Sequence, residues 1–181
     1  MKKKLFISVV AVALVACFAI GGTLAWLADS TQTVTNTFTV GDINITLDED
    51  TGSTYKVTPG TNITKDPEVT VKANSEDCWL FVKVDEKNWP VGLDYTIADG
   101  WTELTGVEGV NGVYYRTVDS STADQVYAVL KDNTVTVSSS LTKDDLQDMN
   151  TNQPSLAFTA YAVQQENLAT PEAAWAAVNA E

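Results

Sequence analysis

The chain has 181 residues and no histidine. That absence removes the usual imidazole base, the Ser-His-Asp and Cys-His arrangements, HExxH zinc peptidases and histidine-held metals. Carboxylates, two cysteines and a group of aromatic side chains are left to do chemistry. Asp85 and Glu86, or Asp144 and Asp145, could suggest a glycosidase pair. Such a pair needs its carboxyls about 5 to 9 Å apart across a cleft, whereas neighbours on a strand point to opposite faces. Asp48-Glu49-Asp50-Thr51-Gly52 and Asp144-Asp145 offer oxygen ligands that suit Ca²⁺ better than a hydrolytic Zn²⁺, without the spacing of a Ca²⁺-binding loop. They read as solvated acidic turns, so the expectation is no catalytic residue and no cofactor or metal beyond weak Ca²⁺ binding. Trp79, Trp89, Trp101, Tyr114, Tyr115 and Tyr161 could stack on sugars, but in a β-sandwich at least half of them should be core.

The N-terminus carries processing chemistry. Lys2, Lys3 and Lys4 precede an uncharged apolar run over residues 5–20. Sixteen residues at 1.5 Å each give about 24 Å of helix, short of the ~30 Å hydrocarbon core, and no basic stop-transfer cluster follows. The segment therefore reads as a cleavable signal helix. After Gly21-Gly22, Thr23 and Ala25 put small residues at the −3 and −1 positions a signal peptidase reads, placing cleavage before Trp26. A rival signal overlaps it, because Leu14-Val15-Ala16 precedes Cys17 in the pattern of a lipid-modified cysteine. Against it, the apolar run continues through Phe18, Ala19 and Ile20 where a polar tether is normal. Cleavage after Ala25 leaves Cys78 as the single cysteine of the mature chain. It then forms no internal disulfide and reads as a buried, inert thiol.

Formal net charge is −13, from 11 basic and 24 acidic residues. Three of the basic residues are Lys2 to Lys4, so residues 26–181 hold 8 basic and 24 acidic groups, or −16. That surface repels phosphate backbones and argues against nucleic-acid binding.

The body of the chain reads as strands. Over residues 31–40, threonines at the odd positions alternate with Val34, Phe38 and Val40, a period of two with one apolar face. Past Gly41-Asp42 the parity switches to Ile43, Ile45 and Leu47. Further strands are predicted at 69–71, 78–85, 113–118, 125–130, 134–137 and 155–163, with 78–85 apolar on both faces and hence central. Turn chemistry separates them at Pro59-Gly60, Asn74-Ser75, Asp99-Gly100, Asn111-Gly112 and Asp132-Asn133, with Asn111-Gly112 the strongest hairpin signal. Short helices are predicted at 141–149, capped by Thr142 with Asp145 three residues on, and at 172–179 behind Thr170-Pro171. Together these give an all-β, antiparallel sandwich with one or two short helices. The parts are 1–25 signal peptide, 26–40 N-terminal strand and 41–181 sandwich domain.

The segment Gly21-Gly22-Thr23-Leu24-Ala25-Trp26-Leu27-Ala28-Asp29, then Thr37-Phe38-Thr39-Val40-Gly41, resembles the opening of the TasA/camelysin family. These are secreted Gram-positive proteins whose signal peptides are cut by a SipW-type peptidase. Val57-Thr58-Pro59-Gly60, Lys65-Asp66-Pro67, Val69-Thr70-Val71 and a closing Phe158-Thr159-Ala160-Tyr161-Ala162-Val163-Gln164 extend the resemblance. It implies a jelly-roll sandwich of the biofilm matrix or cell surface, assembling into extracellular fibres as each freed N-terminal strand fills a groove in the next subunit. The partners it implies are identical or related subunits, and the signal peptidase during export. Contact with membrane would be through the uncleaved signal alone. Val34, Phe38 and Val40 would be the buried side chains of that polymerisation strand. Metallopeptidase activity, ascribed to camelysin relatives, has no His to rest on here. The alternative is a monomeric cell-surface adhesion or glycan/protein-binding module, lipid-anchored at Cys17.

Overall fold

The structure is a computed structural model and describes residues 42–52 and 54–178. The signal segment, Cys17, Thr23, Ala25, Trp26 and the strand bearing Val34, Phe38 and Val40 lie outside the described residues. The described chain runs β1 (Ile45–Asp48), β2 (Asn62–Thr64), β3 (Glu68–Val71), β4 (Cys78–Lys87), β5 (Leu93–Ile97) and β6 (Thr102–Glu103). It continues through β7 (Val113–Val118), β8 (Gln125–Ala128), β9 (Leu130–Val137), α1 (Lys143–Asn152), β10 (Ser155–Gln164) and α2 (Pro171–Val178).

Every pairing among the described strands is antiparallel. One sheet has the order β10-β4-β7-β6. The ladders β1-β3-β8 and β2-β9-β5 make the other, because backbone bonds bridge the break between them. Val129 N–H donates to Pro67 O at 2.9 Å and Lys65 N–H to Asn133 O at 2.8 Å. Between the paired positions Thr64↔Thr134 and Glu68↔Ala128, one side advances four residues and the other six. The two extra residues are accommodated where Asp132 and Asn133 adopt φ of 55° and 50°. A bulge takes up extra residues in this way, so Asp132-Asn133 is an irregularity inside one strand and not the turn its composition suggested.

Counting β2/β3 and β8/β9 as single bent strands, the eight strands form sheets ordered 1-2-7-4 and 8-3-6-5. The inner pairs 2-7, 7-4, 8-3 and 3-6 are those of a jelly roll. The edge strands differ: β1 pairs with its sequence neighbour rather than with β10, and β6 with β7 rather than with β5.

The sandwich interior is filled by Val69, Val71, Cys78, Leu80, Val82, Val118 and Val129. The other face of β4 and β7 is covered by α2, whose Ala174 and Trp175 pack with Trp79, Phe81, Leu104 and Val113. Burial on both faces explains the continuous apolar run of β4. At the far end, α1 seats Met149 against Leu93, Leu130, Val135 and Val137. Its start is set by Thr142, whose hydroxyl accepts from Asp145 N–H while Asp145 accepts from Thr142 N–H, a reciprocal capping box.

Asn111-Gly112 does not form the two-residue hairpin its composition predicts. The chain from Leu104, whose N–H donates to Val113 O, loops out and returns at Gly112. Gly112 sits at φ 65°, and a Cβ there would stand 2.6 Å from Val84 O. The glycine is needed for this close backbone approach, not for a tight turn. The sole arginine, Arg116, lies 3.9 Å from the ring centre of Tyr127 and 5.5 Å from that of Trp101. It ties the two sheets at one side by cation–π contact.

Candidate functional site

β10 is ten residues of Ser-Leu-Ala-Phe-Thr-Ala-Tyr-Ala-Val-Gln, with no charge, proline or glycine. Among the described residues it pairs with β4 alone, so one of its backbone edges meets no described strand. Long edges are normally protected by lysine, proline, bulges or brevity, and this one has none of these. Its inward residues Phe158, Ala160 and Ala162 are only partly buried against the interior cluster, as are Ile43, Ile45 and Leu47 from β1 and its approach. β1 touches β10 across the sandwich and, among the described residues, is itself an edge strand. On this side of the molecule the two strands bring partly buried apolar side chains together. This is also the place that strand 1 occupies in a jelly roll.

A cavity of 650 Å³ lies between the β2-β9-β5 face, α1 and the start of β10, lined in part by Val57, Ile63, Trp89, Leu146, Met149 and Leu156. One wall is Lys65, 8% exposed. Its Nζ donates to both carboxylate oxygens of Glu49, at 2.7 and 2.9 Å. The ammonium also sits 5.2 Å from the ring centre of Tyr55 and 5.3 Å from that of Phe158. A lysine this far from water is tolerable because a carboxylate and two aromatic faces replace its hydration.

The acidic stretch 48–52 becomes a strap over this wall. Thr51 donates from its N–H at 3.0 Å and its hydroxyl at 2.7 Å to Asp66, and Tyr55 hydroxyl bonds Glu49 and Gly52 O. The Thr51 hydroxyl holds the Asp66 carboxyl below the usual carboxylate range, while burial and then Glu49 push the Tyr55 phenol up. Asp144 and Asp145 are accounted for by the first turn of α1. Asp85 pairs with Lys83 at 2.7 Å, and Glu86 accepts from Tyr95 hydroxyl at 2.7 Å, so this carboxylate pair is divided between separate partners.

Cys78 is fully buried, and burial followed by the Asp77 charge pushes its thiol up to about 11. It is a core side chain, as its lack of an activating base implied. The six aromatics that could have stacked on sugars are buried or half-buried. Trp79 packs edge-on to Tyr115, Trp89 to Tyr95 and Tyr161 to Trp175.

Lys65 and the cavity had no sequence reading as a site, and Glu49 was read only within the acidic turn 48–52. Lys65 was legible only as part of Lys65-Asp66-Pro67, and its partner lies sixteen residues away. No local spacing announces that pairing.

The family model described as camelysin metallo-endopeptidase matches residues 1–76. The N-terminal part of the chain is camelysin-like. The match spans the motifs between residues 21 and 71, together with β1, β2, β3 and Lys65, and stops short of the closing motif at 158–164. No curated protein and no solved structure matches the chain. The family's description names a metallopeptidase. Among the described residues no group of three or more His, Cys, Asp or Glu is placed to hold a metal ion. No described helix is long and apolar enough to cross a membrane.

Proposed function

We propose that the chain is a secreted, non-enzymatic structural protein of a Gram-positive cell surface or biofilm matrix. After signal cleavage between Ala25 and Trp26 it polymerises by donating residues 26–40 to the next subunit. The observation that carries this reading is the long β10 edge that meets no described strand. A ten-residue, uncharged edge calls for a strand of similar length and character. Residues 31–40 provide ten uncharged residues of alternating pattern, about 33 Å when extended at 3.3 Å each. Val34, Phe38 and Val40 would cover the half-buried Phe158, Ala160 and Ala162. A head-to-tail contact of this type does not close on itself and propagates as a fibre. The absence of histidine from the whole sequence supports the non-enzymatic part. The binding-module alternative draws no support from the aromatic side chains, which are spent on packing.

The test is to charge the acceptor edge without harming the fold. Ala157 and Thr159 are exposed and lie opposite Asp85 and Lys83. Ala157→Lys and Thr159→Glu therefore face opposite charges on β4, a favourable cross-strand arrangement. The double variant of the mature chain is expected to keep its circular dichroism and thermal midpoint yet form no filaments under conditions where the parent does. Filaments from both proteins would refute β10 as the acceptor.

A further inference from the structure

Three side chains of complementary chemistry are carried by residue 49 and by the facing positions 65 and 133 at the end of the β2–β9 ladder. The first is the Lys65 amine, the one charged side chain among the buried polar residues of the described chain. The second is the Glu49 carboxylate, bonded to that amine through both oxygens at 2.7 and 2.9 Å. The third is the Asn133 side-chain amide, whose Oδ1 is buried and has no hydrogen-bond partner among the described residues.

Lys65 and Asn133 are cross-strand neighbours. The pairs Asn62↔Thr136, Ile63↔Val135 and Thr64↔Thr134 continue to these two positions, and Lys65 N–H donates to Asn133 O at 2.8 Å. Opposed residues place their Cβ atoms about 5 Å apart on one face of the sheet. Ile63 and Val135, the cross-strand pair two positions away, line the cavity with Lys65, and Asn133 stands opposite Lys65 at the edge of the bulge with its Oδ1 buried. A lysine stem can fold back over that separation. Tyr55 and Phe158 keep water from the amine.

An amine, a carboxamide and a shielded carboxylate together make an amide exchange possible without any cofactor. We propose that Lys65 and Asn133 become joined by an isopeptide bond, with Glu49 carrying the proton. Glu49 takes a proton from the Lys65 ammonium, and the freed Nζ lone pair attacks Asn133 Cγ. Glu49 then delivers the proton to Nδ2, the Cγ–Nδ2 bond breaks, and ammonia leaves with a second proton from Nζ. The product has one Cγ–Nζ amide, Glu49 is again a carboxylate, and nothing is oxidised or reduced. The chain loses one ammonium ion, and with it one positive charge. The bond would rivet β2 to β9 beside the bulge, independently of whether the protein polymerises.

Peptide mapping of the purified full chain tests it. Trypsin cuts after Lys56, Lys72, Lys131 and Lys143, so residues 57–72 and 132–143 are expected as one branched species. That species should be lighter than the sum of the two peptides by one ammonia and uncut after Lys65. Lys65→Met is expected to abolish the branch, and Glu49→Gln to abolish it or reduce it at least tenfold. Peptides 57–65 and 132–143 recovered separately at their sequence masses would overturn the proposal. So would an ammonia loss confined to 132–143, which marks a succinimide at Asn133. A full yield of branch in Glu49→Gln would overturn the role of Glu49. The parent map decides the bond even if a variant fails to fold.

Discussion

Removing the indole of Trp175 tests whether α2 is part of the framework that presents β10. Trp175 is 7% exposed and lies against the acceptor strand β10 and its neighbour β4. Its ring centre is 5.3 Å from that of Phe81 on β4 and 5.4 Å from that of Tyr161 on β10. Those two residues are themselves paired across the ladder. Trp175→Ala therefore empties a site that binds one helix to two strands. Large aromatic to alanine changes in a core cost about 3 to 5 kcal/mol, a large part of the roughly 5 to 15 kcal/mol that holds a domain together. At about 3 °C per kcal/mol for a chain of this size, the thermal midpoint should fall by about 12 °C. Scanning calorimetry reads this directly. Trp175→Phe, which keeps a ring between Phe81 and Tyr161, should lose less than half as much. A fall of less than about 3 °C in Trp175→Ala would refute the docked-helix reasoning, because a dispensable appendage would unfold without cost to the sandwich.

Other consequences are equally direct. Gly112→Ala should destabilise by about 2 kcal/mol or more in urea titration, since left-handed backbone costs a Cβ-bearing residue about 1 to 2 kcal/mol and the new methyl meets Val84 O at 2.6 Å. Thr142→Ala should cost about 1 kcal/mol through the lost cap of α1, read by the same titration. Cys78 should resist thiol reagents in the native protein at pH 8 and react once unfolded. Because its folded pKa is raised to about 11, its contribution to stability is complete below pH 9 and is lost as pH rises from 9 towards 11. In acid the signs reverse. Asp66 and Asp145 are held low by Thr51 and Thr142, so what they contribute is present above pH 3.8 and is lost below it. Falling charge repulsion should meanwhile promote association between pH 7 and 4, and flat light scattering across that range would contradict this.

What the sequence disclosed follows from how local each signal is. β4 and β7 were legible because a run apolar on both faces and an alternating Val113 to Val118 leave little choice of structure. The start of α1 was legible because Thr142 and Asp145 are three residues apart and complete their bonds within one turn. β2 and β5 were missed: Asn-Ile-Thr is too short to show a period, and Leu-Asp-Tyr-Thr-Ile mixes polar and apolar residues on its faces. Their strand character comes from pairing with β9, which is a long-range fact. β9 begins at Leu130 rather than at Thr134 because Asp132 and Asn133, with turn-forming side chains, are carried within the ladder as a bulge. The candidate site was half legible. The uncharged closing strand could be read from composition, but its lack of a described second neighbour could not. The burial of Lys65 against Glu49 needed the strap to fold across the β2–β3 corner, and no pattern of residue types encodes that.

The most direct test of strand donation compares two forms of the mature chain by size-exclusion light scattering and negative-stain microscopy. One begins at Trp26 and the other at Gly41, with a synthetic peptide of residues 26–40 added to the second in a parallel sample. The account predicts filaments from the first, none from the second, and a one-to-one complex when the peptide is supplied. Folded monomers from both forms, with no peptide bound, would contradict it.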